Sequence, residues 1–275
     1  MVTACATLTP RSDPHANQDA CAAGQDWVVV ADGVGSLPES AAAAQAAVAY
    51  CTSVLGAAVT GSPDTEQGWA NAHPPLSMGY VQDLFAGAHQ QVLTEVVRGT
   101  GACTLLTGLA HPDGSLTLGA CGNGAALLAV HDPDQFYPDR GRVALTTLTV
   151  PQISYRAGAD QLEQYLGALR PPQPEVTHLG PSSRARLLLV VSDGLYSPEQ
   201  VTVGKDHLGS HWLSLSPTWL TLSNLARTVL TLPQAPDPDL LHELAAALLA
   251  SLLTDGHLDD DASLALLFQP ATTGA

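Results

Sequence analysis

The stretch Trp27–Gly35, WVVVADGVG, constrains this chain more than any other. Trp27 to Val30 form an apolar, largely β-branched run too short for a helix, so they read as a buried strand. The run stops at Asp32-Gly33. A carboxylate at the end of a buried strand sits at the rim of a sheet, where glycines let backbone and side-chain oxygens face one point. That is what a hard divalent cation requires.

The same device recurs where Leu187–Ser192 (LLLVVS) runs into Asp193-Gly194. A third acidic cluster, Asp259-Asp260-Asp261, precedes a last apolar run, Ala262–Phe268. If this last strand is antiparallel to one of the others, its start lies beside the other's end, and all three carboxylate sites meet at one rim. A fourth is placed by counting. A hairpin joining Ala20–Ala23 to Trp27 through Gln25-Asp26 pairs Asp19 with Asp32, their Cβ atoms about 5 Å apart on one face. Gln-Asp is not a favoured two-residue turn, so a slip of one residue stays open. Like charges directly opposite repel, and a bound cation removes that penalty.

Composition narrows the function classes. The formal charge is −16, from 10 Lys+Arg against 26 Asp+Glu, which argues against a nucleic-acid backbone or an anionic membrane as partner. Five scattered cysteines without a CxxC pair fit reduced thiols, and hence a cytoplasmic location, better than a disulfide framework or a zinc site. The N-terminus lacks a signal-peptide pattern. No stretch approaches about 18 uninterrupted apolar residues, so no membrane span is expected. With no flexible linker or charge block, residues 1–270 read as one domain and 271–275 as a short tail.

Along the chain, Val2–Thr9 reads as a first strand. Ser36 as cap and Pro38 early suggest a helix through the alanine-rich Ser40–Leu55. Gly61–Ser77 reads as a long loop, and Gly79–Val97 follows the 3.6-residue period of a second helix. Cys103–Ala110, Leu116–Cys121 and Ala125–Val130 read as an antiparallel meander turned at Pro112-Asp113-Gly114 and Gly122-Asn123-Gly124. Val143–Val150 reads as a strand, Gly158–Leu169 as a short helix and Arg170–Arg184 as loop. Tyr196–Pro217 resists assignment, while Pro217–Leu230 and Asp239–Leu253 read as helices. The order suggests α+β, with antiparallel sheets and helices outside.

Taken together, these motifs resemble the metal-dependent protein phosphatase 2C family in its compact bacterial form. The matches are NQD at Asn17–Asp19, VADGVG at Val30–Gly35, Gly101-Ala102-Cys103-Thr104 for a Gly-Thr-Thr motif, GNGAALL at Gly122–Leu128 for a Gly-Asp-Ser motif, VSDGLY at Val191–Tyr196, and DDAS before the final strand. They occur in family order across residues 11 to 268. The resemblance implies a four-layer α-β-β-α sandwich, two packed antiparallel sheets flanked by pairs of helices, with two Mn2+ or Mg2+ ions at one end. Carried over by position, Asp32 bridges both ions, Gly33 offers its carbonyl, Asp193 and Asp260 hold one ion, and Asp19 acts directly or through water. Asp259 and Asp261 remain substitutes for Asp260.

The implied activity is hydrolysis of phosphoserine or phosphothreonine in a phosphorylated protein, the substrate of a bacterial Ser/Thr kinase, by a monomer with Asp32 and Asp193 as catalytic residues. Paired cations share a water, lower its pKa and hold phosphate oxygens for in-line attack. Three positions depart from the family pattern. Gln18 replaces a more frequent glutamate, and Asn123 replaces an aspartate that helps hold a third metal. The phosphate-binding arginine's usual position is Pro14, which leaves Arg11 or His15 to bind phosphate. These departures motivate the alternative of a weakly active or inactive phosphatase-like regulatory or phosphopeptide-binding protein. Each motif alone has a plainer reading: Asp-Gly is first a turn signal, and Asp259–Asp261 alone is a solvated turn.

Overall fold

The computed structural model describes residues 1–11, 16–35, 37–60, 78–132, 143–149, 151–156, 159–196, 201–205 and 211–271. Two five-stranded antiparallel sheets lie at its centre. The first has the order β1 (Val2–Leu8), β14 (Ala262–Gln269), β11 (Arg186–Val191), β6 (Ala125–His131), β7 (Val143–Thr147). The second has the order β10 (Glu175–Leu179), β5 (Leu116–Cys121), β4 (Leu105–Ala110), β3 (Trp27–Ala31), β2 (Ala20–Ala23).

Strand periodicity explains why the central runs are apolar without alternation. Successive side chains point to opposite faces, and here both faces are buried. Val28, Val30, Leu106, Leu188, Val190, Ala265 and Leu267 fill the space between the sheets. The alternate residues Trp27, Val29 and Leu105 pack against α1 (Ser40–Thr60) and α2 (Met78–Glu95). On the other side, Leu187, Leu189, Leu264 and Leu266 pack against α3 (Pro217–Leu230) and α4 (Pro238–Thr254). Three apolar layers therefore hold four structural layers together. Each fully buried leucine contributes about 1.5–3 kcal/mol relative to exposure.

The register expected for the first hairpin is present, with Ala20 opposite Ala31 and Cys21 opposite Val30. Helices α3 and α4 start as their sequences direct. Ser216 accepts from the Trp219 amide at 3.0 Å and Asp237 from the Leu240 amide at 2.8 Å, each before a proline that is free to occupy a first turn. By length and composition Ser40–Ala57 of α1 is apolar enough to cross a membrane. Its Ala43, Ala44, Ala47, Cys51 and Leu55 are instead packed on the second sheet and α2.

Several segments differ from the sequence reading. Gly122–Gly124 is not a hairpin. It carries the chain from β5 in the second sheet to β6 in the first, with Gly122 at φ +117°. A run buried on both faces matches either sheet equally well, so pattern does not say which one it joins. The expected helix over Gly158–Leu169 contains instead β9 (Ala159–Leu162), paired with β8 (Ile153–Arg156), and Leu166, whose amide and carbonyl bond Cys103. Tertiary pairing there overrides helix-forming composition. Within the expected loop Arg170–Arg184, Glu175–Leu179 forms edge strand β10 on β5, hidden in the sequence by flanking prolines and serines. Helix α1 begins at Ser40, and its expected cap, Ser36, lies outside the described residues, as do 61–77 and the tail beyond residue 271. In the unassigned stretch, β12 (Val201–Lys205) pairs with β13 (His211–Leu215).

Candidate functional site

At one end of the sandwich, four segments deliver carboxylates to the opening between the sheets. Asp32 follows β3, on the face of Val28 and Val30 by alternation. Its carbonyl accepts from the Thr104 amide at 2.7 Å and its amide donates to Thr104 Oγ1 at 3.2 Å, so residues 101–104 fix the turn. Asp19 precedes β2, with its amide on Asn17 Oδ1 at 2.9 Å. Asp193 follows β11 and opens a short 3-10 turn closed by the Tyr196 amide at 3.1 Å. Asp261 precedes β14, which is antiparallel to β11 with Leu264 opposite Val191, so their ends meet as expected.

Close approach of backbones explains both Asp-Gly pairs better than turn chemistry does. A Cβ on Gly194 would stand 2.1 Å from the Asp261 carbonyl oxygen. One on Gly33 would stand 2.8 Å from the Gln18 carbonyl oxygen, which accepts the Gly33 amide at 3.1 Å. The acids are brought together because only glycine lets these chains pass so closely.

Asp32 is within hydrogen-bonding reach of both Asp19 and Asp193. Burial, then the charges of Asp19 and Asp193, hold its carboxyl well above the usual carboxylate range. Asp19 is 6% exposed, and burial pushes its carboxyl up to about 6. The neighbouring Asp32, Ser192 and Ser263 act in the opposite direction, and the charge of Asp261 adds to the rise. Neither oxygen of Asp19 has a hydrogen-bond donor at bonding geometry. The Ser263 hydroxyl is committed to Thr7 Oγ1 at 2.9 Å, and Ser192 Oγ accepts from the Ser263 amide at 2.9 Å.

At the mouth, structure and motif alignment diverge. Asp260, the aligned position, has a side chain 63% exposed, whereas that of Asp261 is 3% exposed. Asp261 Oδ2 accepts from the Gln18 amide at 2.8 Å, and its Oδ1 is buried without a partner. Alternation explains this. Ala265 faces the inter-sheet space, so Ser263 and Asp261 share that face and Asp260 points away. The two-residue spacing Asp261, Ser263, Ala265 was a signal available in the sequence and outweighed by the motif. Arg11 reaches this mouth, 3.7 Å from Asp260 and 3.6 Å from Asp261, with Nη1 donating to the Ala16 carbonyl at 2.8 Å. His15 and Pro14 lie outside the described residues. Asn123, carried to the opening by the sheet-to-sheet crossing, donates its amide to Asp193 Oδ2, and its own Oδ1 is buried without a partner.

Among the described residues, no group of three or more His, Cys, Asp or Glu side chains is arranged to hold a metal ion. The donor set nevertheless fits a hard cation. It consists only of oxygens, and Asp19 Oδ1 and Oδ2, Asp261 Oδ1 and Asn123 Oδ1 are buried with no donor to satisfy them.

A four-layer α-β-β-α sandwich with an acidic opening at one end is the architecture of protein phosphatases of the 2C type. The family model for Protein phosphatase 2C matches residues 11–155, and the chain belongs to that family. Its structure is similar to that of the PPM Ser-Thr phosphatase MsPP from Mycobacterium smegmatis, solved with cacodylate, at 18% identity over 98% of each chain and a TM-score of 0.57. It is similar to the serine/threonine phosphatase Stp1 from Staphylococcus aureus at 15% identity, covering 100% of this chain and 96% of that one, with a TM-score of 0.59. The catalytic domain of the serine/threonine protein phosphatase PstP, solved with 2 manganese ions, gives 18% identity, 96% and 97% coverage and a TM-score of 0.54. Among curated proteins no match is found.

Proposed function

We propose that this chain is a metal-dependent protein phosphatase that removes phosphate from phosphoserine and phosphothreonine. One observation carries the reading: buried carboxylate oxygens without donors converge at the opening of a phosphatase 2C fold. Asp19, Asp32, Asp193 and the Gly33 carbonyl would hold two Mn2+ or Mg2+ ions, with Asp260 and Asp261 at the start of β14 supplying the remaining charge. Such ions would lower the pKa of a bound water and neutralise the charge on phosphate oxygens.

The chain's own residues do the rest. Thr104 and Gln18 fix the backbone around Asp32 and Gly33, and the Asn123 amide orients Asp193. Arg11, its side chain 40% exposed beside Asp260 and Asp261, would turn toward an incoming phosphate, leaving its weak paired contacts for a bidentate one. The substrate is a phosphorylated protein, the product of a Ser/Thr kinase.

The test is hydrolysis of p-nitrophenyl phosphate and of a phosphothreonine peptide with manganese added. Asp193→Ala is expected to lose about a hundredfold or more. Equal activity of the two proteins would defeat the proposal. A second reading, a phosphopeptide-binding protein with little turnover, draws on Asn123 occupying Asp193 Oδ2 and on the pairing of Arg11 with acids. It predicts that the peptide is bound and recovered unchanged.

A further inference from the structure

The five cysteines are free thiols, and two of them differ from the others. Cys51, Cys103 and Cys121 are buried in the layer between the second sheet and its helices. Cys5 and Cys21 are partly exposed and line one cavity of about 340 Å3, together with Thr7, His242 and Leu249. They belong to different sheets: β1 is an edge of the first and β2 an edge of the second. Cys5 lies opposite Ala265 and Cys21 opposite Val30. Both side chains pack against the inter-sheet layer, and so face each other across the open side of the sandwich.

Cα atoms of β1 and β2 approach within 8 Å, closer than the roughly 10 Å of stacked sheets. The two thiols are near enough to perturb each other, the contact lowering the Cys5 pKa and raising that of Cys21. Helix α4 covers the pair, anchored by His242 Nδ1 at 2.8 Å from the Cys5 carbonyl.

We propose that Cys5 and Cys21 are a redox-convertible pair whose disulfide staples the two sheets at their open edge and closes a covalent ring around Arg11, Asn17 and Asp19. The oxidant is a small-molecule disulfide such as oxidised glutathione. One cysteine sulfur attacks it, forming a mixed disulfide and expelling one glutathione thiolate. The second cysteine then attacks the first, forming the Cys5–Cys21 bond and expelling the other. Two electrons pass to the oxidant, and the two thiol protons end on the two glutathiones. The ring carries the segment that delivers Asp19 to the acidic opening, so oxidation restricts that segment without adding any group to it.

The test uses the full chain and does not depend on phosphatase activity. The protein is held with oxidised glutathione, alkylated under denaturing conditions, digested with trypsin and weighed. Three of the five cysteines should be alkylated, with Met1–Arg11 joined to Ser12–Arg98 through Cys21, and dithiothreitol should reverse the link. The oxidised protein should melt at a higher temperature than the reduced one. Cys5→Ser and Cys21→Ser should each abolish the link and leave a glutathione adduct on the remaining sulfur, whereas Cys51→Ala should keep it. Five alkylated cysteines after oxidation, adducts on both sulfurs without a link, or a link through Cys51 would each overturn the proposal.

Discussion

At Asp19, an amide would cost the buried strand end far less than a carboxylate, because neither oxygen finds a donor. The same holds for Asp261 Oδ1, whose charge faces Asp19. Neutralising Asp261 as Asp261→Asn keeps an acceptor for the Gln18 amide and removes one like charge. The metal-free protein should gain about 1–2 kcal/mol, a rise in melting temperature of a few degrees. Manganese should then raise that temperature less than in the wild type. Asp260→Asn, at an exposed position, should change metal-free stability by no more than about 0.5 kcal/mol. Thermal scans with and without manganese check both, and a larger loss of manganese response in Asp260→Asn would reverse their assigned order.

The turn after β11 and the start of β14 hold each other in place, and Gly194 is the point of contact. Gly194→Ala puts a Cβ 2.1 Å from the Asp261 carbonyl oxygen, so the two segments must separate. We expect a loss of about 1–3 kcal/mol in denaturant unfolding, accompanied by weaker manganese binding. Gly56→Ala, inside α1 with nothing within 4 Å, should instead gain about 0.5–1 kcal/mol. Helix α2 carries the pH-sensitive contact. His89, 5% exposed, accepts the Gly167 amide at Nδ1 at 3.2 Å, and burial holds its pKa below the ordinary value of 6.5. A depressed base contributes stability that is present above the unfolded value and lost as pH falls through the folded one. Between pH 7.5 and 5 the wild type should therefore lose more stability than His89→Gln. Equal losses would assign the acid sensitivity elsewhere.

At the scale of the molecule, the inter-sheet layer holds the acidic opening in shape. Leu188→Ala, fully buried there, should cost about 2–5 kcal/mol in chemical denaturation. Much of this architecture was legible locally. The β2–β3 register followed from a two-residue Gln25-Asp26 turn, helix α4 from the proline at its start, and both Asp-Gly ends from the apolar runs before them. Strands β8 to β10 were not legible, because short segments of mixed composition become strands only when an edge is available to pair with. The destination of β6 was hidden for a different reason: Ala125–Val130 is buried on both faces and satisfies either sheet.

By itself the sequence determined where chain direction breaks and which strand ends bear carboxylates, since apolar run length, glycine and proline act over a few residues. Only the tertiary structure decided which sheet each run joined and that Cys5 met Cys21. Those outcomes depend on partners far apart in the chain, and no local window contains them.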